Sequence, residues 1–325
     1  MSEKPIQCNV CFRRCHIPEG KLGACRTKTN ENGKLIDRGY GKITSAALDP
    51  IEKKPLYRFY PGSMILSFGS FGCSMRCPFC QNWQISQQDL FTESETVLPE
   101  DLVCKALELK PYGNIGLAAT YNEPMLSPEF LKDTFQLARE KGLKTVIVTS
   151  GSATMESLEQ VLPYTDAFNI DLKGFTEDFY KWAGGDFETT KAFIQRAAQK
   201  AHVELTMLVI PGKNDSPQQM EEMARWIADL SPEIPLHLSR YFPRYQCEIE
   251  MTPVQTLQEL KSIAEKYLQH VYLGFLFLSR NKKRESSWLG LKLSPLIYSL
   301  FFRYSSMASA AFLASRTAST TVLPP

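Results

Sequence analysis

From about residue 63 to residue 273 the chain repeats one pattern: a short apolar run, a turn, then an amphipathic run at helical spacing. Strands are predicted over 63–68, 115–120, 145–149, 167–172, 203–210, 235–238 and 271–273. Helices are predicted over 99–109, 127–141, 154–162, 188–201, 216–230 and 254–267. The end signals agree with the periods: Pro128 sits at an early helical position and Gly142 closes the same segment. Strands that alternate with helices join by right-handed crossovers and line up in parallel. The fold class is therefore α/β, and the residues that follow each strand converge on one face.

The first predicted strand runs into Gly72-Cys73-Ser74-Met75-Arg76-Cys77-Pro78-Phe79-Cys80-Gln81-Asn82. Cys73, Cys77 and Cys80 stand at Cys-x3-Cys-x2-Cys, so one loop can wrap three thiolates around one metal centre. Four thiolates would close a structural zinc site or complete the ligation of a cubane cluster. Three leave one iron of a [4Fe-4S] cluster without a protein ligand, open for chemistry. A zinc knuckle or three core cysteines are the plainer alternatives.

A second group lies upstream: Cys8, Cys11, Cys15 and Cys25, with Gly20 and Gly23 in the connection. Tetrahedral zinc takes four such ligands and leaves no open position. His16 can replace one of them. An auxiliary iron–sulfur cluster that relays electrons is the other reading. So small a segment needs a staple in either case.

The chain has 325 residues and nine cysteines, seven of them in these two groups. That usage fits metal ligation in a reducing cytoplasm rather than disulfides. The remaining two, Cys104 and Cys247, have no partner by spacing and read as structural. Net charge is +2, which carries no argument about nucleic acid, and no nucleic-acid partner is expected. Residues 1–7 are short and polar, so no signal peptide is expected. The uncharged stretch at 293–302 is too short to span a bilayer and contains Pro295, so no membrane partner is expected. The composition divides the chain into a Cys-rich metal-binding module at 1–32, a connector with short strands at 33–62, a core domain at 63–274 and a tail at 275–325. The tail has no acid after Glu285 and reads as a weakly ordered extension.

Polar residues recur after the strands. Thr120-Tyr121-Asn122-Glu123-Pro124 offers an amide and a carboxylate that can accept from a ligand ammonium, or else cap the next helix. Thr149-Ser150-Gly151 offers hydroxyls to a carboxylate or ribose, or else a plain turn. Asp171 and Lys173 share one face by alternation, as a ligand contact or an ordinary ion pair. The segment 209–215 is placed to flank an adenine. His237, in Pro235-Leu236-His237-Leu238, is either a ligand contact or a satisfied core histidine.

Together these segments resemble the radical S-adenosylmethionine (radical SAM) superfamily, in its glycyl-radical-enzyme activating branch. The sequence looks most similar to the AmmeMemoRadiSam system radical SAM enzymes, which are described as pyruvate formate-lyase activating enzyme-like. The three-cysteine loop with Phe79 before its last cysteine, Cys8–Cys25, residues 40–82, Tyr121–Pro124, Asn169–Gly174 and 237–245 carry the resemblance, which covers residues 6–274. It implies a partial (βα)6 barrel over 63–274. It implies that Cys73, Cys77 and Cys80 ligate a [4Fe-4S] cluster whose open iron binds SAM, and that no other residue acts directly in catalysis. It further implies that Phe79, Asn122, Glu123, Thr149, Ser150, Asp171, Lys173 and His237 bind the cofactor. Asp171 in that branch also reaches a monovalent cation. The implied activity is reductive cleavage of SAM followed by hydrogen abstraction from a target, with a polypeptide as target and an external electron donor of the flavodoxin or ferredoxin class. A metabolite-modifying radical enzyme and a non-catalytic metal-stapled scaffold are the alternatives.

Two departures stand out. Only a short stretch separates Asn82 from Pro99, which leaves no room for the ferredoxin-like insert of many activating enzymes. Similar chains continue past the equivalent of Gly274 with a further Cys-x2-Cys pair, whereas no cysteine follows Cys247 here, so a replaced or frameshifted terminus is expected.

Overall fold

A computed structural model describes residues 5–274, so the tail expected at 275–325 lies outside the described residues. Eight strands build the main sheet: β1 (Ser45–Pro50), β2 (Met64–Gly69), β3 (Asn114–Ala119), β4 (Lys144–Thr149), β5 (Ala167–Asp171), β6 (His202–Val209), β7 (Leu236–Arg240) and β8 (Val271–Gly274). Their spatial order is their chain order, with β1 and β8 at the two edges. Strands β2 to β8 are all parallel; only β1 runs antiparallel, against β2. Among the described residues the edges do not pair with each other, so the sheet is open there. Six helices make the crossovers: α1 (Pro99–Glu108), α2 (Pro128–Glu140), α3 (Met155–Val161), α4 (Phe187–Ala198), α5 (Pro217–Leu230) and α6 (Val254–Ala264). Each predicted strand and helix of the core is present, with ends shifted by a few residues. This is the α/β sheet of a partial barrel.

The local causes are legible. In β4, Lys-Thr-Val-Ile-Val-Thr buries Thr145, Val146, Ile147 and Thr149, as a parallel strand covered on both faces must. In α2 the buried residues Phe130, Leu131, Thr134, Phe135 and Ala138 follow the helical period and form one stripe. Helix α4 begins where the Asp186 side chain accepts from Thr189 N, satisfying one free amide of the first turn.

The segment expected to be a connector does more than connect. It supplies β1, and the residues after β1 fold back under the sheet at the N-terminal end of β2. There Ile51, Leu56 and Phe59 pack with Ile65, Ala118, Val146 and Ala167. Leu56 and Ile51 are completely buried. This plug also carries polar work. Glu204 in β6 accepts from the amides of Tyr57 (3.0 Å) and Arg58 (2.7 Å), and Asn169 in β5 donates to Pro55 O at 2.9 Å. Three well-spaced apolar residues with no helical or strand period give no sequence signal, because what they fill is a hole and not a face.

The N-terminal residues form two short antiparallel hairpins. Ile6–Gln7 pairs with His16–Ile17, and Lys28–Glu31 pairs with Lys34–Asp37. The second turns at Asn32-Gly33, both with positive φ (55° and 71°), the turn that this dipeptide favours. The strand at Lys28–Glu31 carries no apolar alternation, which is why the hydrophobic pattern does not reveal it.

Candidate functional site

The site is assembled at the C-terminal edge of the sheet. The cysteine loop follows β2, Tyr121-Asn122-Glu123 follows β3, Thr149 and Ser150 end β4, Asp171 to Lys173 end β5, and Ile210 to Asn214 follow β6. Cys73, Cys77 and Cys80 are free thiols; Cys77 is buried, and Cys73 and Cys80 are half-buried. Burial first, then the Glu123 carboxylate and the neighbouring thiols, push the Cys73 thiol well up; burial pushes Cys77 up to about 11. Cys77 packs in one cluster with Met75, Phe79 and Phe179, and Cys73 and Cys80 pack against it.

Three free thiols on one loop are a donor set that suits a cubane cluster, which takes one thiolate per iron. Among the described residues no group of three or more Cys, His, Asp or Glu side chains is arranged to hold a metal ion as it stands. Tetrahedral zinc with bonds of about 2.3 Å needs its sulfurs within roughly 4 Å of one another. Cysteines of a cubane each take a different iron and stand wider apart. Cys73 Sγ also accepts from Met75 N at 3.4 Å, the kind of bond that tunes a cluster. Cys73, Cys77 and Cys80 are therefore the residues that would hold it.

The loop is braced from all sides. Asn122 accepts from Ser70 N at 3.0 Å and donates to Phe71 O (3.0 Å) and Gly72 O (3.2 Å). Asn82 donates to Tyr121 O at 2.7 Å. Arg76 donates to Cys73 O and Met75 O, both at 2.9 Å. Phe79 is buried and stacks on Trp182 at 5.1 Å between centroids. Trp182 belongs to a short helix, Glu177–Trp182, that no periodicity announces. Lys213 lies over the other ring contact, 4.9 Å from the Trp182 centroid.

Glu123 is saturated. It accepts from Thr149 Oγ1 (2.6 Å), Ser150 N (2.9 Å), Ser150 Oγ (2.5 Å) and Met125 N (3.2 Å). Ser152 Oγ lies 2.9 Å from Ser150 Oγ and 2.6 Å from Ser74 Oγ, so a line of hydroxyls runs from Glu123 into the cysteine loop. Thr149, Ser150 and Glu123 are thus brought together, chiefly with each other. Tyr121, in a left-handed conformation at φ 75°, reaches down to Asp49, its hydroxyl donating at 2.7 Å. Lys54 bonds the same Asp49 oxygen at 2.8 Å, so the floor and this loop share one buried carboxylate.

Lys173 donates to Asp171 Oδ2 at 2.7 Å. Burial works against the ammonium, but Asp171 and the Cys77 thiol outweigh it and raise the Lys173 pKa. Lys173 in turn lowers Cys77 and Cys80 against the rise caused by their burial. The Lys173 amide also donates to Tyr180 Oη at 3.3 Å, and Tyr180 packs in the same cluster as Cys77. Asn214, within the segment expected to flank an adenine, holds the Lys173 carbonyl at 2.7 Å and the Ile210 amide at 2.6 Å.

His237 has a different neighbourhood. It is buried, Nε2 lies 2.7 Å from Glu204 Oε2, and its ring packs against Tyr57 and Tyr272 at 4.7 and 5.2 Å. Tyr57 belongs to the plug beneath the sheet, while Glu204 and Tyr272 stand on the neighbouring strands β6 and β8. Burial alone would raise the Glu204 pKa, but bonds from His202, His237 and the amides of Tyr57 and Arg58 hold it down to about 2. Of the two readings that the sequence leaves open, these contacts favour a satisfied core histidine.

Comparison with known proteins adds to this geometry. The family model described as the radical SAM superfamily matches residues 68–227. An uncharacterized protein of Methanocaldococcus jannaschii is 38% identical over 84% of this chain and 82% of its own length. The pyruvate formate-lyase-activating enzyme of Clostridium pasteurianum is 25% identical over 62% of this chain and 88% of its own. Among solved structures, a radical SAM methyltransferase from Sphaerobacter thermophilus superposes with a TM-score of 0.53 at 16% identity, over 66% of this chain and 67% of that one, which speaks for the fold alone. No helix among the described residues is long and apolar enough to cross a membrane. The cysteine loop at the head of a parallel sheet and the matches along it agree: the chain is similar to the pyruvate formate-lyase activating enzymes, belongs to the radical SAM superfamily and is a radical SAM enzyme.

Proposed function

We propose that this enzyme generates its radical for a polypeptide target, in the manner of an activating enzyme. When bound, the reduced [4Fe-4S] cluster supplies one electron to the sulfonium of SAM and so yields a radical able to abstract hydrogen. The chain's own contribution is to bind, orient and shield. Cys73, Cys77 and Cys80 hold the cluster. Asp171 Oδ2 is engaged by Lys173, and the carboxylate is 35% exposed, so it keeps acceptor capacity for the SAM ammonium or ribose hydroxyls. Asn122 and Glu123 act by fixing the loops, since their polar atoms are already paired. Phe79 and Trp182 wall the site on one side.

The observation that carries the polypeptide reading is the open sheet. Among the described residues its edges, β1 and β8, do not pair, and this reading takes the gap as a lateral entrance that a closed (βα)8 barrel lacks. A backbone loop fits such an entrance, and positioning then supplies most of the rate. The similarity to an enzyme named for activating pyruvate formate-lyase points the same way. An external one-electron donor of the flavodoxin or ferredoxin class is part of this reading.

The experiment uses reduced enzyme, SAM and deuterated cell extract divided by size. Deuterium is expected in 5′-deoxyadenosine only with the protein fraction. Label transferred from the small-molecule fraction alone would replace this reading by a metabolite-modifying enzyme.

A further inference from the structure

We propose that Arg13 and Arg76 are positioning residues for the redox step: they close the carbonyl side of the cysteine loop and leave two unpaired positive charges against it, which favour the reduced, more negative state of a cluster held there. The proposal rests on the reading that Cys73, Cys77 and Cys80 hold that cluster.

The loop carries carbonyls that no strand or helix satisfies. Ser74 and Met75 are 0 and 1% exposed, so their backbone acceptors need donors from the protein. Guanidinium groups supply them. Arg76 Nη1 donates to Cys73 O and to Met75 O, both at 2.9 Å, and Arg13 Nε donates to Ser74 O between them. Two arginines thus take three successive carbonyls.

The two side chains come from separate segments and converge on one turn. Arg13 lies in the N-terminal module, 61 positions before Ser74. Its Nη2 also donates to Gly184 O at 2.9 Å, while Arg76 N donates to Ala183 O at 3.1 Å. A Cβ on Gly184 would stand 2.9 Å from Arg76 Cβ, so this turn presses directly on Arg76. Arg76 Nη2 reaches back to Ala24 O. One planar fork therefore spans the cysteine loop and the first module, which the point charge of a lysine does not reproduce.

Neither charge is neutralised. Arg38, Arg139, Arg196 and Arg225 each pair with a carboxylate. Among the described residues, Arg13 and Arg76 find only backbone carbonyls and the Gln87 amide oxygen as acceptors. Both are half-buried, where salt screens a charge less than it does at an open surface. A carbonyl bond leaves the full positive charge in place. Adding one electron makes a cluster more negative, and a fixed cation nearby favours that state and raises the reduction potential. The electron itself comes from the external donor; the arginines change only how readily it is taken up. In this way the N-terminal module acts on the site through Arg13.

The test is an anaerobic redox titration of the reconstituted full chain, following the paramagnetic signal that SAM perturbs. In Arg13→Gln the ratio of reduced to oxidised cluster at one fixed potential is expected to fall by about tenfold, which is about 59 mV for one electron. Arg13→Lys keeps the charge and is expected to stay within about threefold of the wild type. An unchanged ratio in iron-loaded Arg13→Gln overturns the proposal. So does a fall in Arg13→Lys as large as in Arg13→Gln, which assigns the effect to hydrogen bonding alone. Arg76→Gln is expected to lower the ratio as well and to lose iron on gel filtration, because two loop carbonyls lose their donor. Full retention with an unchanged ratio overturns its part. If Arg76→Gln folds poorly, the two Arg13 variants decide the matter. A wild-type chain without an iron signal that responds to SAM overturns the reading of the cysteine loop instead.

Discussion

Glu204 shows what a single residue settles. Its folded pKa of about 2 lies below the roughly 4.3 of an unfolded glutamate. A depressed folded pKa contributes stability that is fully present above the unfolded value and is lost as pH falls through the folded one. Urea unfolding between pH 6 and 2 is therefore expected to show an acid limb that Glu204→Gln flattens. The same change should cost about 1–3 kcal/mol at pH 7, because four donors lose a charged acceptor. An unchanged acid slope would assign the limb to other carboxylates. His237 belongs to this network, so His237→Ala is expected to lower stability by a similar amount and to leave the SAM dissociation constant of the loaded enzyme within about twofold. A large loss of SAM affinity at full stability would restore the cofactor role that family resemblance gives it.

Among elements, the plug between β1 and β2 is the one that ties floor to site. Leu56 fills the underside of the sheet with no exposure, and Tyr121 and Lys54 meet on Asp49 just above. Leu56→Ala removes a fully buried side chain from a packed layer and should cost about 2–5 kcal/mol. The loss is to be read by thermal unfolding. A cost below about 1 kcal/mol would mean that the plug collapses around the hole and is not a fixed part of the sheet. The cysteine loop depends on its neighbours in the same way: Asn122, Asn82, Ser152 and Arg76 each hold a backbone or hydroxyl group of that loop or of the turn beside it.

For the whole molecule, the N-terminal hairpins and the sheet act as one body. Arg13 reaches Gly184 O at 2.9 Å, and Thr154 Oγ1 reaches Asn9 O at 2.7 Å, so contacts to the first module come from two separate βα connections. Removing residues 1–27 would leave Ser74 O without Arg13 and Arg76 without Ala24 O. The truncated protein is expected to lose most of the iron at Cys73, Cys77 and Cys80 during gel filtration, while the full chain retains it. Full retention would show that the loop stands by itself.

What the sequence determined was whatever repeats or clusters along the chain. The period of Lys144–Thr149 and the stripe of Pro128–Glu140 each bury their own residues, so local pattern fixes element type and, through alternation, the parallel sheet. The three-cysteine loop is equally local, since its spacing is its chemistry. What only tertiary structure decided was which polar groups are already spoken for. Glu123, Asn122 and His237 carry the right atoms for a cofactor, but Thr149 and Ser150, the Phe71 and Gly72 carbonyls, and Glu204 come from distant segments and occupy them. Hydrogen-bond capacity is finite, and the partners that exhaust it lie up to 52 positions away for Asn122 and 33 for His237. No spacing rule reads across that distance, whereas Asp171 and Lys173, two positions apart on one strand end, were legible as a pair.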